Sequence, residues 1–139
     1  MKFVCDAPGG KTWFQMETEA EANAEARDMR HAVDQYFARA EEQARASYAP
    51  ADALGIERDI GLKAHIARSM PLFLTLRADD GEALATAMLP PEGRPERHFR
   101  VIIVGPGNAD PYPDHGDAIA ILGAHFGMDL PRDRCFPYA

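Results

Sequence analysis

LFLTLRADDGEALATAML, residues Leu72 to Leu89, holds two runs of alternating side chains around Asp79, Asp80 and Gly81. A period of two marks strands, and the Asp80-Gly81 pair between the runs predicts a hairpin closed by a type I′ turn. Pairing Asp79 with Glu82 sets the register. It puts Leu72, Leu74, Leu76, Ala85, Ala87 and Leu89 on one face and Phe73, Thr75, Arg77, Leu84, Thr86 and Met88 on the other. The first face is wholly apolar, whereas the second mixes large apolar groups with hydroxyls and a cation.

Working outward, a second hairpin is expected at the start of the chain, from KFVCDA (Lys2 to Ala7) and TWFQME (Thr12 to Glu17) joined by Pro8, Gly9, Gly10 and Lys11. With Ala7 opposite Thr12, Cys5 meets Phe14 and Phe3 meets Met16, and Trp13 falls on the opposite face. Thr18 and Glu21 then form a capping box that opens a run of helix formers lasting to Ser47 and Tyr48 before Pro50. The apolar positions Ala22, Ala26, Met29, Val33, Tyr36, Phe37, Ala40 and Ala44 form one stripe, which predicts a single long helix. At about 42 Å it would overhang strands of about 20 Å.

A second, shorter helix is expected over Ile56 to Met70, with Ile56, Ile60, Ala64 and Ala67 on its inner side and Pro71 as its stop. Beyond the Leu72 hairpin, HFRVIIVG (His98 to Gly105) reads as a further strand, and a short helix from about His115 to Phe126 ends at Gly127. The element order ββααβββα describes one α+β domain over residues 1–139, with a mostly antiparallel sheet of about five strands.

Composition agrees. At 139 residues, 46% hydrophobic and 27% charged, the chain is too apolar for disorder and long enough to bury about two-thirds of its unfolded surface. Fifteen basic against 22 acidic residues give a net charge of −7, which disfavours nucleic acid as a partner, since that affinity comes from cations on phosphates. Twelve of the cations are arginine beside abundant alanine, the coding bias of a GC-rich, bacterial type of genome. No run approaches the ~20 apolar residues that span a bilayer, so no membrane is expected. The opening MKFVCDAPGGK lacks the apolar core of a secretory signal, which points to the cytoplasm and reduced thiols. Cys5 and Cys135 form no metal or redox motif; a bond between them would tie the two ends together.

Two constellations could carry chemistry. The loop from Gly105 to Asp117 is rich in glycine and aspartate, and its Gly107, Asn108, Asp110 and His115 are candidate ligand contacts. It has no cation to meet a phosphate. A hard metal held by Asp110, Asp114 and Asp117 fits its charge better. The structural alternative is that Asp114 caps the following helix with Asp117 three positions on. His98 and Arg100 share alternation with Arg77, Thr75 and Thr86, a set able to receive a carboxylate or, more plainly, to pair with acidic residues. No catalytic nucleophile or cofactor motif emerges: there is no GxSxG, and Ser47 and Ser69 are the only serines.

If every helix packs on the leucine face, Trp13, Phe73, Leu84, Met88, Ile102 and Val104 are left as an uncovered apolar patch. The leading functional expectation is therefore a protein-binding module or a self-assembling homo-oligomer such as a homodimer. The alternative is a small-ligand- or metal-binding enzyme centred on the Gly105–Asp117 loop.

Overall fold

The computed structural model describes residues 1–48 and 55–138. Five strands, β1 (Lys2–Ala7), β2 (Lys11–Met16), β3 (Leu72–Arg77), β4 (Ala83–Leu89) and β5 (Ile102–Val104), form one sheet in the order β1-β2-β3-β4-β5. Every neighbouring pair is antiparallel, and β2 pairs with β3, so both hairpins belong to the same sheet. Between β2 and β3 the chain makes three helices, α1 (Glu19–Met29), α2 (Val33–Ser47) and α3 (Ile56–Ser69); α4 (Tyr112–Phe126) follows β5. The fold is α+β, with the order ββαααβββα rather than the expected ββααβββα.

The Leu72 hairpin has the register its pattern demands: Leu72, Leu74 and Leu76 face Leu89, Ala87 and Ala85. Its turn differs. The Gly81 N–H bonds to the Ala78 carbonyl, and within the turn the positive φ falls on Gly81 alone, at 90°. Asp79 and Asp80 therefore occupy the central positions of an ordinary turn and Gly81 the left-handed position after it, where only glycine escapes a steric penalty.

The first hairpin departs by one residue. Its loop is Pro8, Gly9 and Gly10, with φ of 79° and 73° at the glycines, so Ala7 faces Lys11. A one-residue slip sends side chains to the other face. Cys5 consequently pairs with Trp13, and a bulge at Val4 restores a second parity in which Phe3 pairs with Phe14.

The sheet is covered on both sides by the chain's own helices. Beneath the leucine face, Ala118, Ile119 and Leu122 of α4 pack on Leu74, Leu76, Ile103 and Trp13. Trp13, expected on the opposite face, is fully buried here and donates its indole N–H to the Ala118 carbonyl at 2.8 Å. Over the other face, Ala22, Ala26, Val33 and Phe37 join Met16 and Phe73, with Phe37 and Phe73 ring centroids 5.1 Å apart. The premise of a bare second face is thus corrected. Phe73 is 1% exposed, and Leu84 packs with the α4-side core.

What supplies this cover is a break in the expected long helix. The capping box at Thr18 and Glu21 is present, but α1 ends at Arg30, which adopts a left-handed φ of 57°. After His31 and Ala32 the chain restarts as α2, so the overhang folds back as a second helix packed on the first. The expected stop at Pro50 lies outside the described residues. In α3 the less exposed side holds Leu62 and Ile66, with buried Met70 just past its end, while Ile60, Ala64 and Ala67 of the expected stripe face solvent; the Ile56 side chain lies outside the described residues. Gly61 leaves room for the Tyr48 hydroxyl, with which a Cβ there would collide.

β5 is shorter than the His98–Gly105 run. β4 offers it only Thr86 to Met88 as partners, and residues 98–101 lead in through a turn. Its outer edge is taken by the C-terminal segment: the Ile103 N–H reaches the Phe136 carbonyl at 3.2 Å, and the Phe136 N–H reaches the Val101 carbonyl at 2.8 Å. Among the described residues, no helix is long and apolar enough to cross a membrane.

Candidate functional site

Glu25 stands on the buried stripe of α1 with Ala22, Ala26 and Met29, and no part of it reaches solvent. A carboxylate so placed must be met by charge and hydrogen bonds. Arg77 of β3 donates Nη2 to Glu25 Oε1 at 2.6 Å, and Thr86 of β4 donates Oγ1 to Glu25 Oε2 at 2.7 Å. Arg77 also donates Nε to Thr75 Oγ1 at 3.0 Å and Nη1 to the Gly81 carbonyl at 3.2 Å. Alternation puts Thr75, Arg77 and Thr86 on one face; the structure unites them around an acid from the helix above.

The network continues to His31, in the corner between α1 and α2. Its Nε2 lies 2.8 Å from Thr86 Oγ1, and its Nδ1 receives the Val33 N–H at 3.4 Å. Burial pulls the His31 pKa below the ordinary imidazole value, against the opposing charges of Glu25 and Asp34. His31 and Thr86 carry the polar network to the edge of an open space.

That space is a cavity of about 290 Å³ between the helix corner, the β4–β5 edge and the C-terminal segment. The sheet contributes Phe73, Met88, Ile102 and Val104, and the start of α2 contributes Ala32, Val33 and Tyr36. Phe136 and Pro137 close one side, and Asn108 stands in the wall from the following loop. His31, Thr86 and the hydroxyl of Tyr36 are the other polar groups on lining residues; among the described residues, no carboxylate, lysine or arginine lines it. In place of the expected flat patch there is a pocket, with much of the apolar surface around it already covered.

The other candidates from the sequence separate. In the Gly105–Asp117 loop, Gly107 and Asn108 form a 3-10 turn with φ of 63° and 62°, but only Asn108 lines the cavity. Asp110 accepts the Tyr112 N–H at 3.0 Å and Arg132 Nε at 2.8 Å. Against a desolvation that works the other way, these bonds hold its pKa below the usual carboxylate value. The carboxylate at the helix start is thus Asp110; Asp114 is exposed, and α4 begins three residues earlier than expected, with His115 breaking its first turn at φ −130°. Asp117 accepts its neighbour's Ala118 N–H at 2.7 Å. Among the described residues, no group of three His, Cys, Asp or Glu is arranged to hold a metal, Asp110, Asp114 and Asp117 included.

His115 accepts from Lys11 Nζ at Nδ1, 3.0 Å away; burial first and the Lys11 charge second lower its pKa, against Asp114 and Asp117. His98 is exposed in the turn before β5, and Arg100 is exposed with its guanidinium 5.1 Å from the Phe136 ring centre. Neither joins the Thr75–Arg77–Thr86 group.

The thiols and serines are equally settled in structural roles. Cys5 and Cys135 are free, and they lie by opposite edges of the sheet. Burial raises both thiols, with Asp6 adding to the effect at Cys5. Ser47 donates to the Ala44 carbonyl, which leaves its oxygen to accept from His65 Nε2 at 2.8 Å; Ser69 stands 3.3 Å from the same nitrogen. These contacts join α2 to α3.

No protein-family model matches the chain, and neither a curated protein nor a solved structure matches it. The geometry of its own residues is what a functional reading rests on.

Arg77→Met leaves Glu25 buried beside an apolar side chain and is expected to cost about 3–5 kcal/mol, with most of the loss recovered in Glu25→Met/Arg77→Met. Urea denaturation checks this; a mild single-variant loss would mean that water reaches Glu25. A pH dependence follows from His31. Its folded pKa lies below the ordinary imidazole value of 6.5, so between the two values the unfolded chain holds a proton that the folded chain refuses. Stability is complete above about pH 6.5 and falls as pH drops through that window, then levels off. His31→Gln is expected to flatten part of the fall between pH 7.5 and 5, and His115→Gln another part; identical profiles for wild type and His31→Gln would contradict the assignment.

Proposed function

We propose that the protein binds a small, uncharged and mainly apolar molecule in the cavity beside His31. One observation carries the reading: a pocket of about 290 Å³ walled by Tyr36, Phe73, Met88, Ile102, Val104 and Phe136 contains no ionic side chain among the described residues. A charged ligand would lose its hydration there without a counter-charge, whereas an apolar one exchanges water for aromatic and aliphatic contacts. The volume lies at the small end of ligand pockets. The reading shares Asn108 with the ligand site expected at the Gly105–Asp117 loop but moves its centre to the helix corner.

A narrower observation favours self-association as a second reading. β1 is the edge strand of the sheet, and on it Phe3 is 56% exposed. An unpaired strand edge carrying an exposed aromatic can pair with its equivalent in a second copy across a twofold axis.

Saturating amounts of a compact apolar probe such as toluene or indole are expected to stabilise the protein. At one hundred times the dissociation constant the gain is about 2.7 kcal/mol. Thermal melts of wild type and of Ile102→Trp, which fills the cavity, form the test: stabilisation confined to wild type supports the site, and its absence in both removes it. For the edge reading, light scattering of concentrated protein is expected to give twice the chain mass, reverting to one with Phe3→Lys; a monomer at every concentration rules the dimer out.

A further inference from the structure

We infer that occupancy of this cavity is coupled to proton uptake at His31: the neutral imidazole holds the start of α2, and with it one wall of the cavity, in the shape that takes an apolar molecule, and a proton on the ring releases both. The inference rests on the cavity reading above and adds its regulation.

α2 begins without an ordinary cap. Ala32 stands at the cap position and has no side chain to offer the first N–H groups of the helix. The acceptor comes from one residue earlier: His31 Nδ1 receives the Val33 N–H at 3.4 Å. The state of the ring follows from its other side. Thr86 has a single hydroxyl proton, directed to Glu25 Oε2 at 2.7 Å, so its Oγ1 accepts from His31 Nε2, 2.8 Å away. The imidazole is thus neutral, with its proton on Nε2 and its one lone pair committed to Val33. Val33 is in turn a wall residue of the cavity, buried in the cluster of Phe37 and Phe73.

A second proton can enter only at Nδ1, where it would point at the Val33 N–H. It removes the acceptor and sets a positive charge beside the positive end of the α2 dipole. The groups around the ring divide. Burial opposes the imidazolium and outweighs the charges of Glu25 on α1 and Asp34 on α2, which favour it; Glu25 is already bonded to Arg77 of β3. Arg30, the preceding residue, is an exposed cation. Tyr36 contributes a phenol hydroxyl, and among the described residues β4, β5, the loop at Asn108 and the C-terminal segment bring no charged group to the cavity wall. An apolar occupant shifts this balance one way, because it replaces the water that would solvate an imidazolium and offers no hydrogen bond in return. Proton and occupant therefore oppose each other.

Two measurements on the wild-type protein form the test. NMR of the His31 and His115 rings and of the Val33 amide is followed from pH 7.5 to 4.5, without and with saturating toluene. In the free protein the Val33 amide shift is expected to follow the His31 titration. Toluene is expected to lower the His31 midpoint by about half a pH unit or more, and to leave His115, which does not line the cavity, where it was. Linkage then requires that calorimetry find toluene bound about threefold or more weakly at the acid limit than at pH 7.5. A His31 ring that stays neutral to pH 4.5, a Val33 amide that ignores its titration, or a midpoint unmoved by toluene overturns the inference and leaves the cavity reading intact. Failure of toluene to bind at pH 7.5 overturns that reading and the coupling with it, while the Val33 amide in the free protein still decides whether His31 holds the start of α2.

Discussion

A carboxylate removed entirely from water governs how this fold is assembled. Glu25 sits between α1 and the sheet, and its two oxygens are satisfied by groups from two adjacent strands, Arg77 on β3 and Thr86 on β4. Such a pair contributes little net stability compared with an apolar substitute, but it discriminates sharply among arrangements, because any sliding of α1 strands a charge. The helix is thereby held at one height and one rotation on the sheet. Its end, and with it the corner bearing His31, is delivered to Thr86 at hydrogen-bond distance.

The cavity follows from that placement. α1 and α2 cover the face holding Phe73 and Met16, but the corner between them stops short of filling the space over β4 and β5, where Met88, Ile102 and Val104 lie. The C-terminal segment closes the remaining side by extending β5 with backbone bonds on either side of Phe136. An apolar recess beside a committed polar network is a selective environment: the bonds among Glu25, Arg77, Thr86 and His31 are already made, and most of the remaining wall is aromatic or aliphatic.

Much of the site is legible in the pattern of residues alone. Strict alternation in the Leu72 hairpin groups Thr75, Arg77 and Thr86, and spacing puts Glu25 on the stripe of α1, three residues from Ala22 and four from Met29, although an acid there does not announce itself. His31 is hidden because it lies inside a continuous run of helix formers. The apolar residues of the far face group correctly as well, apart from Trp13 and Leu84, but their number suggests a missing partner where the chain itself provides the cover. The Gly105–Asp117 loop stands out by composition alone; its acids mostly serve the start of α4 and the pairing with Arg132.

Periodicity along the chain is enough to set the α+β class, the register of the β3–β4 hairpin, the capped start of α1 and the end of α4 at Gly127. Those depend on neighbours in sequence, where side-chain direction and local hydrogen bonding leave few options. The parity of β1, the break at Arg30, the inward side of α3 and the length of β5 come instead from packing. Each turns on competition between distant segments for the same surface, and such competition leaves no trace in the local pattern: a three-residue loop in place of four reverses a strand, and a helix that could run straight folds back because the sheet beneath it offers more apolar contact than water does.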